Sequence, residues 1–472
     1  MMRQLKTNLL LYIILFSGVI NAPAQVAFPL KISENKRYLT DQHNKPFPIL
    51  GRTAWCIISQ PEKGQRMFLE HTKSFGYNAI EMAAICHWRS GNHAPFNGNN
   101  NLPFLKKLDG TIWKDSLDYS AGLHSPDFTT PNEAYWKFLD ELIAYCEKNG
   151  MLVFLFPAYI GYPNSDQGWM QEMVANGPDK IKAYGAWFAN RYKNSKNIVW
   201  MLLGDDGKLT PEQKTVEASL IAGLKSVAGQ QSMYYSAESF SGQNSVDNED
   251  FGKEMSLNGI YNWERNIPAQ ARLAYAHEPV MPAYLLEEPY DEEGPDGNNY
   301  NPNAVQPVRR FQWWGWLSSI AGYVAGNGYI WPFIDPYWEQ HLDSKGAKDM
   351  KVLNAFIRSI PWWQLVPSGL DGMKKLVVDG PGADTSSDYI AAAASRNGEL
   401  LIAYVPPAHH GPFTLYISVL SRRSVAYWLD PSSGKHKDIT GDFSAEKGLA
   451  TFSAPGLNSS GEKDWVLVMK AE

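Results

Sequence analysis

The sequence predicts an α/β chain, a (β/α)8 barrel of the TIM type followed by a C-terminal all-β sandwich. Three observations carry that expectation. Over residues 49–368 short apolar runs alternate with amphipathic helical stretches, the pattern of βα units wound around a parallel sheet. Two of the runs, Asn197 to Asp206 (NIVWMLLGDD) and Pro282 to Pro289 (PAYLLEEP), end abruptly in carboxylates. Beyond Pro361-Trp362-Trp363, short strand-like segments are separated by Gly, Asn and Pro turns and no helical stretch remains, which reads as a sandwich over residues 369–472.

The first 24 residues hold Arg3 and Lys6, then the apolar run Leu9 to Ile20, then Ala22-Pro23-Ala24. That is the layout of a secretory signal peptide cleaved after Ala24, and it predicts a periplasmic or extracellular protein. The apolar run is short for a membrane span, no Cys follows the cleavage site to take a lipid, and no later stretch reads as transmembrane. Residues 25–48 contain an alternating stretch, Leu30 to Phe47, with turn-formers at Glu34 to Lys36 and Gln42 to Lys45. A β-hairpin closing the bottom of the barrel is expected there.

The eight barrel strands are expected at Ile49 to Leu50, Ala79 to Met82, Leu152 to Phe156, Ile198 to Leu202, Met233 to Tyr235, Gly259 to Tyr261, Ala283 to Leu286 and Gly328 to Trp331. Helices are expected at Glu133 to Lys148, Pro178 to Tyr192, Pro211 to Ala228 and Val308 to Ile320, with proline at or near three of the starts. The loops Cys86 to Pro131 and Pro289 to Pro307 are long and polar, suited to riding over the barrel mouth. The second is acidic but lacks the ligand spacing of a known calcium loop. Sandwich strands are expected at Tyr389 to Ala394, Leu400 to Tyr404, Phe413 to Ile417, Ser424 to Leu429, Ala450 to Ser453 and Trp465 to Met469.

Composition narrows the function. With 44% hydrophobic and 19% charged residues and a net charge of -6, the 472-residue chain has a large core and no basic footprint for nucleic acid. Three cysteines, Cys56, Cys86 and Cys146, are too few and too scattered for a disulfide framework and are expected as buried thiols. No Gly-x-Ser-x-Gly elbow, dinucleotide glycine fingerprint or HExxH motif is present, and no cofactor is called for. His409-His410 reads as a loop pair.

The strand-end carboxylates remain. Acid directly after a run buried on both faces is expensive unless used, and the C-terminal ends of barrel strands converge on one mouth. Asp205 and Glu288 are the first candidates for the two carboxyls that cleave a glycosidic bond, one giving a proton to the leaving oxygen and one facing the anomeric carbon. Their neighbours Asp206 and Glu287 bring like charge that can split the two pKa values. Periodicity alone leaves open which carboxyl takes which role, and it does not choose between Glu287 and Glu288. Trp55, Tyr159, Tyr261 and Trp331 are the aromatic candidates for substrate binding. The partner so implied is an oligosaccharide or polysaccharide.

The chain resembles the apiosidase-like glycoside hydrolases (glycoside hydrolase family 140) from near the hairpin to the C-terminus. The stretches that carry the resemblance are RYLTDQHNKPFPILGRTAW, TPNEAYWKFLD, NIVWMLLGD, EEPY, RRFQWWGWLSSIAG and DWVLVM. It implies a barrel followed by a sandwich of the kind labelled collagen-binding, and a retaining mechanism with Asp205 as general acid/base and Glu288 as nucleophile. Where the family usually has Asp, Gln and Arg, this chain has Arg52, Glu81 and Asp206; the resemblance implies that these strand-end positions line the sugar site as substrate-binding residues, and the departures predict that terminal apiose is not the best substrate. Arg52 could grip a uronic acid carboxylate, or pair internally with Glu81 or Asp206. Two alternatives share the same sequence features. One is a carbohydrate-binding protein that has lost catalysis, against which the presence of both acids counts; the other is a transglycosylase.

Overall fold

The computed structural model describes residues 26–88, 95–114, 124–162, 166–205, 208–232, 234–262, 266–287, 289–292, 306–333 and 336–472. The signal-peptide stretch and the candidates Asp206 and Glu288 lie outside these residues.

Eight parallel strands form the barrel: β1 (Ile49–Thr53), β2 (Ala79–Ala83), β3 (Leu152–Phe156), β4 (Ile198–Leu203), β5 (Tyr235–Glu238), β6 (Asn258–Tyr261), β7 (Ala283–Leu286) and β8 (Ile320–Ala325). Their spatial order is β5-β4-β3-β2-β1-β8-β7-β6, and a two-residue antiparallel strand, Gln243–Asn244, extends the sheet beyond β6. The seam between β5 and β6 is closed by a side chain rather than by a ladder. Ser245 Oγ donates to the Ala237 carbonyl and accepts from the N–H groups of Ala237 and Gly259, at 3.3 and 2.9 Å.

Strand alternation sorts the side chains. Ile49, Ala79, Phe154, Phe156, Val199, Met201, Tyr284 and Leu286 fill the barrel interior, while Leu50, Ile80, Met82, Leu155 and Trp200 face the helices. The helices are α1 (Glu62–Ser74), α2 (Glu133–Lys148), α3 (Met170–Tyr192), α4 (Pro211–Lys225), α5 (Ile267–Ala276), α6 (Gln306–Ser319) and α7 (Lys345–Arg358). Helix α3 begins eight residues before the expected Pro178, because two helical pieces join across Gly177, which sits at φ 73°. Helix α4 starts on a capping box between Thr210 and Gln213. Below the barrel, three short antiparallel strands, Lys31–Ile32, Leu39–Thr40 and Pro46–Phe47, bring Leu30, Leu39 and Phe47 against the interior residues, so the expected hairpin is a three-stranded plug.

The eighth strand differs from expectation. It is Ile320–Ala325, directly after α6, and Gly328 to Trp331 is a turn. The chain leaves the helix without a loop because Ile320 adopts φ 74°, and Gly322 then lies so near β1 that a Cβ would come within 1.9 Å of the Ile49 carbonyl oxygen. A helix running straight into a strand leaves no polar punctuation for sequence reading to find.

The C-terminal region is two antiparallel sheets. Six strands, in the spatial order Leu365–Pro367, Ala391–Ser395, Leu400–Val405, Trp465–Ala471, Ser424–Leu429 and His436–Phe443, face three, Val377–Asp379, Phe413–Tyr416 and Leu449–Phe452. Leu401, Ala403, Phe413, Leu415, Trp428, Trp465 and Leu467 form the core between them. The larger sheet's outer face packs on α6 and α7, where the rings of Trp313 and Tyr404 stack with centroids 5.9 Å apart. Arg309 of α6 is fully buried there, its guanidinium donating to both carboxylate oxygens of Asp464 at 2.7 Å and to Asp349 at 2.6 Å.

Candidate active site

Four carboxyls gather at the C-terminal end of the barrel, each from a different strand. Asp205 lies two residues past β4. Tyr159, from the loop after β3, donates its hydroxyl to Asp205 Oδ2 at 2.8 Å, and Tyr261, the last residue of β6, donates to Oδ1. Glu287 follows β7 directly, at φ 61°, a left-handed backbone that a non-glycine residue adopts only under local constraint. Its Oε1 accepts from Trp55 Nε1 at 2.6 Å and from the Tyr290 hydroxyl. Trp55 also donates to the Tyr290 oxygen at 2.9 Å, and its ring packs on Phe156 and Tyr159.

Beneath this pair, Glu81 points inward from β2 and Glu238 from the end of β5, both with no exposed surface. Neither carboxyl meets a hydrogen-bond donor among the described residues. Glu238 does face the Glu287 carboxyl, and two carboxyls bond to each other only when one of them keeps a proton. Burial, then the charges of Glu287 and Asp205, push Glu81 well above the usual carboxylate range. Burial and the same neighbours do so for Glu238. Burial and Asp205 push Glu287 up to about 8, against the hydrogen bonds from Tyr290 and Trp55 that lower it. At neutral pH the three glutamates therefore hold protons between them.

The other candidates fall in different places. Tyr159, Tyr261 and Trp55 meet at the carboxyls as described. Trp331 is partly exposed above them, stacked on Trp88 with ring centroids 5.8 Å apart, and its carbonyl accepts from the Cys56 N–H at 3.3 Å. Glu81 is in the barrel axis but out of contact with solvent. Arg52 is not at the mouth. It shares the outward side of β1 with Leu50, so its guanidinium lies between barrel and helices, 3.3 Å from His71 Nδ1 and 3.4 Å from the Leu342 carbonyl, over the rings of Phe68 and Tyr77. Neither the uronate reading nor pairing with Glu81 describes it, and Asp206 lies outside the described residues.

The cysteines are also corrected. Cys56 and Cys86 form a disulfide with Cα atoms 5.6 Å apart, and Cys146 is the buried thiol. The two lie just past β1 and β2, which are neighbours in the sheet, so a separation of 30 residues in sequence becomes one strand spacing in space. Of the acidic loop, the described Asp291 and Glu292 are engaged by protein. Asp291 accepts from Ser344 Oγ and Asn327 Nδ2, and Glu292 accepts from Asn327 Nδ2 at 3.0 Å and pairs with His341 at 2.8 Å. No group of His, Cys, Asp and Glu among the described residues is arranged to hold a metal ion. Sequence reading missed Glu238, Tyr290 and Trp88.

A family model described as "Apiosidase-like, catalytic domain" matches residues 33–364. The chain belongs to the apiosidase-like family. A second model, "Putative collagen-binding domain of a collagenase", matches residues 374–470. Among solved structures, one described as a glycoside hydrolase is 20% identical, with 95% of this chain and 99% of that one covered at a TM-score of 0.74. A glycoside hydrolase family 5 protein from Bacteroides vulgatus is likewise 20% identical, with 95% of each chain covered at 0.74. No curated protein matches. The apiosidase-like chain is thus a glycoside hydrolase, built as a barrel with a sandwich behind it.

The protonated cluster sets a direction for stability in this apiosidase-like hydrolase. A carboxyl whose pKa is raised on folding binds more protons folded than unfolded, so stability falls as pH rises. For Glu287 the fall begins above its ordinary value of 4.5 and ends near its folded value of about 8. Urea unfolding across that window is expected to show a declining midpoint. Glu287→Gln, which cannot ionise, flattens the decline by up to about 1.4 kcal/mol per pH unit. A parent midpoint that is level or rises with pH would contradict the arrangement.

Proposed function

We propose that the protein is an exported, retaining glycoside hydrolase that removes a terminal sugar or side chain from a complex polysaccharide of the plant pectic kind. The observation that carries this reading is the pair of strand ends: a carboxyl after β4, held by two tyrosine hydroxyls, and the Glu287 carboxyl directly after β7, with Glu288 next in the sequence. In the first step the nucleophile's carboxylate attacks the anomeric carbon while Asp205 gives its proton to the departing oxygen, leaving a glycosyl ester on the enzyme. In the second, Asp205 takes a proton from water, whose oxygen attacks the same carbon and releases the glutamate.

Glu288 is assigned the nucleophile's role. The family resemblance points to it, and Glu287, protonated near neutrality and held by Trp55 and Tyr290, lacks the free anion that attack requires. The glycone is read as uncharged. Asp205 and Glu287 lie at the strand ends with Glu81 and Glu238 buried beneath them, and the Arg52 guanidinium that could have met a uronate is turned to the helices. Two of the three departures from the family, Arg52 and Glu81, lie out of a sugar's reach, so apiose stays among the neutral glycones to be tried. Export is supported by the leader-like residues 1–24 and by the Cys56–Cys86 disulfide, which suits an oxidising compartment.

Three outcomes test this. Glu288→Ala is expected to lose nearly all turnover while Glu287→Gln keeps most of it, and Asp205→Ala should retain activity only on glycosides whose leaving groups depart unprotonated. The reverse ranking of the two glutamates would move the nucleophile to Glu287. Protein recovered from outside the cytoplasm is expected to begin at Gln25, and an exported chain beginning at Met1 would defeat the leader reading. A panel of pectic glycans should release a neutral monosaccharide; release of a uronic acid as the main product would refute the uncharged glycone.

A further inference from the structure

A buried carboxyl outside the proposed reaction reaches the backbone from which Asp205 projects. Glu217 lies on α4 among Val216, Leu220 and Leu224, with no exposed surface. Its Oε1 accepts the Leu203 N–H at 3.2 Å, and its Oε2 has no partner among the described residues. Placing an acid on the apolar face of a helix to meet one backbone amide is costly, and the amide it meets is unusual.

Leu203 closes β4 at φ 65°, in the left-handed region that bulky residues avoid. The chain then passes through Gly204, where a Cβ would come within 2.7 Å of the Tyr159 ring, and reaches Asp205. The other peptide groups of this turn are also held: the Leu203 carbonyl accepts from Ile160 N–H and the Gly204 N–H donates to the Glu238 carbonyl, each at 3.2 Å. Tyr159, which packs on Gly204, is one of the two tyrosines that donate to Asp205. The backbone that carries Asp205 therefore runs through a turn whose first amide is tied to Glu217.

We propose that Glu217 is a positioning residue, which by accepting the Leu203 N–H holds the left-handed Leu203–Gly204 turn and so aims Asp205 at the leaving-group oxygen. The assignment rests on the reading of Asp205 as general acid. Burial pushes Glu217 up to about 7, against the pull of the Leu203 hydrogen bond. An oxygen faces the amide in either protonation state, so a glutamine can take its place.

The test compares Glu217→Gln, Glu217→Leu and Glu217→Asp on the dinitrophenyl and methyl glycosides of whichever sugar the glycan panel releases. The first glycoside leaves without protonation and the second requires it. Glu217→Gln should stay within about twofold of the parent on both, whereas Glu217→Leu should lose about ten- to a hundredfold in kcat on the methyl glycoside and under about threefold on the dinitrophenyl one, with KM little changed. Glu217→Asp, one methylene short of the amide, carries the same expectation and serves if the leucine variant does not fold. Equal losses on both substrates, as a smaller folded fraction gives, or a glutamine variant as impaired as the leucine one, would overturn the proposal. Asp205→Ala run on the same pair separates the two readings. If it too loses equally on both, the acid assignment of Asp205 fails; if it is selective while the Glu217 variants are not, only the positioning role does.

Discussion

Like charges a few ångströms apart in a water-poor interior repel strongly, and this barrel brings four carboxyls, Glu81, Asp205, Glu238 and Glu287, to one end of its axis. Much of what surrounds them is what that repulsion requires. Tyr159 and Tyr261 supply hydroxyl donors to Asp205, Trp55 and Tyr290 supply donors to Glu287, and Glu81 and Glu238, with no donor among the described residues, are left to keep protons. One set of neighbouring acids is thus divided into a carboxyl met by hydroxyls and a group held neutral.

A site that works against the fold's stability has to sit on rigid elements, and the packing behind β8 supplies one. Arg309, one turn into α6, is locked between Asp349 of α7 and both oxygens of Asp464 in the sandwich. Burying such a set contributes little net stability, yet leaving any member unpaired would be expensive, so it fixes how the domains meet. Helix α6 passes without a loop into β8, and β8 pairs on one side with β7 and on the other with β1, the strands that lead to Glu287 and Trp55. The sandwich is connected in this way to the hydrogen bond between Trp55 and Glu287, through elements that have little freedom to shift.

The alternation of βα units was legible in the sequence, since seven of the eight strands overlap the segments expected. The exceptions have physical causes. Strand β8 follows a helix without a turn residue, and its boundary is set by Ile320 in a conformation no propensity favours. Strand β5 runs on to Glu238, where the expected segment stopped at Tyr235; read to its end, YSAE is another apolar stretch finishing in acid, the signal that singled out Asp205. Trp88 and Tyr290 carried no such signal, because a loop aromatic becomes part of a site only through tertiary placement. The disulfide was hidden for the same reason: adjacency of β1 and β2 in the sheet, and not spacing along the chain, brings Cys56 to Cys86.

Strand periodicity also decides which differences from the family can matter at the sugar. A substitution at β1 position 52 lands among helices, where Arg52 is absorbed by His71, Leu342 and two aromatic rings; it alters the scaffold and leaves the pocket wall alone. A substitution at β2 position 81 lands on the axis. There a glutamate in place of the family's glutamine keeps the shape and adds an ionisable group that no solvent reaches, so its influence on a glycone passes through the protons of Glu238 and Glu287 rather than through contact. Among the surfaces that solvent does reach, the pair Trp88 and Trp331, joined to β1 and β2 through the Cys56–Cys86 link, offers two stacked, partly exposed aromatic rings.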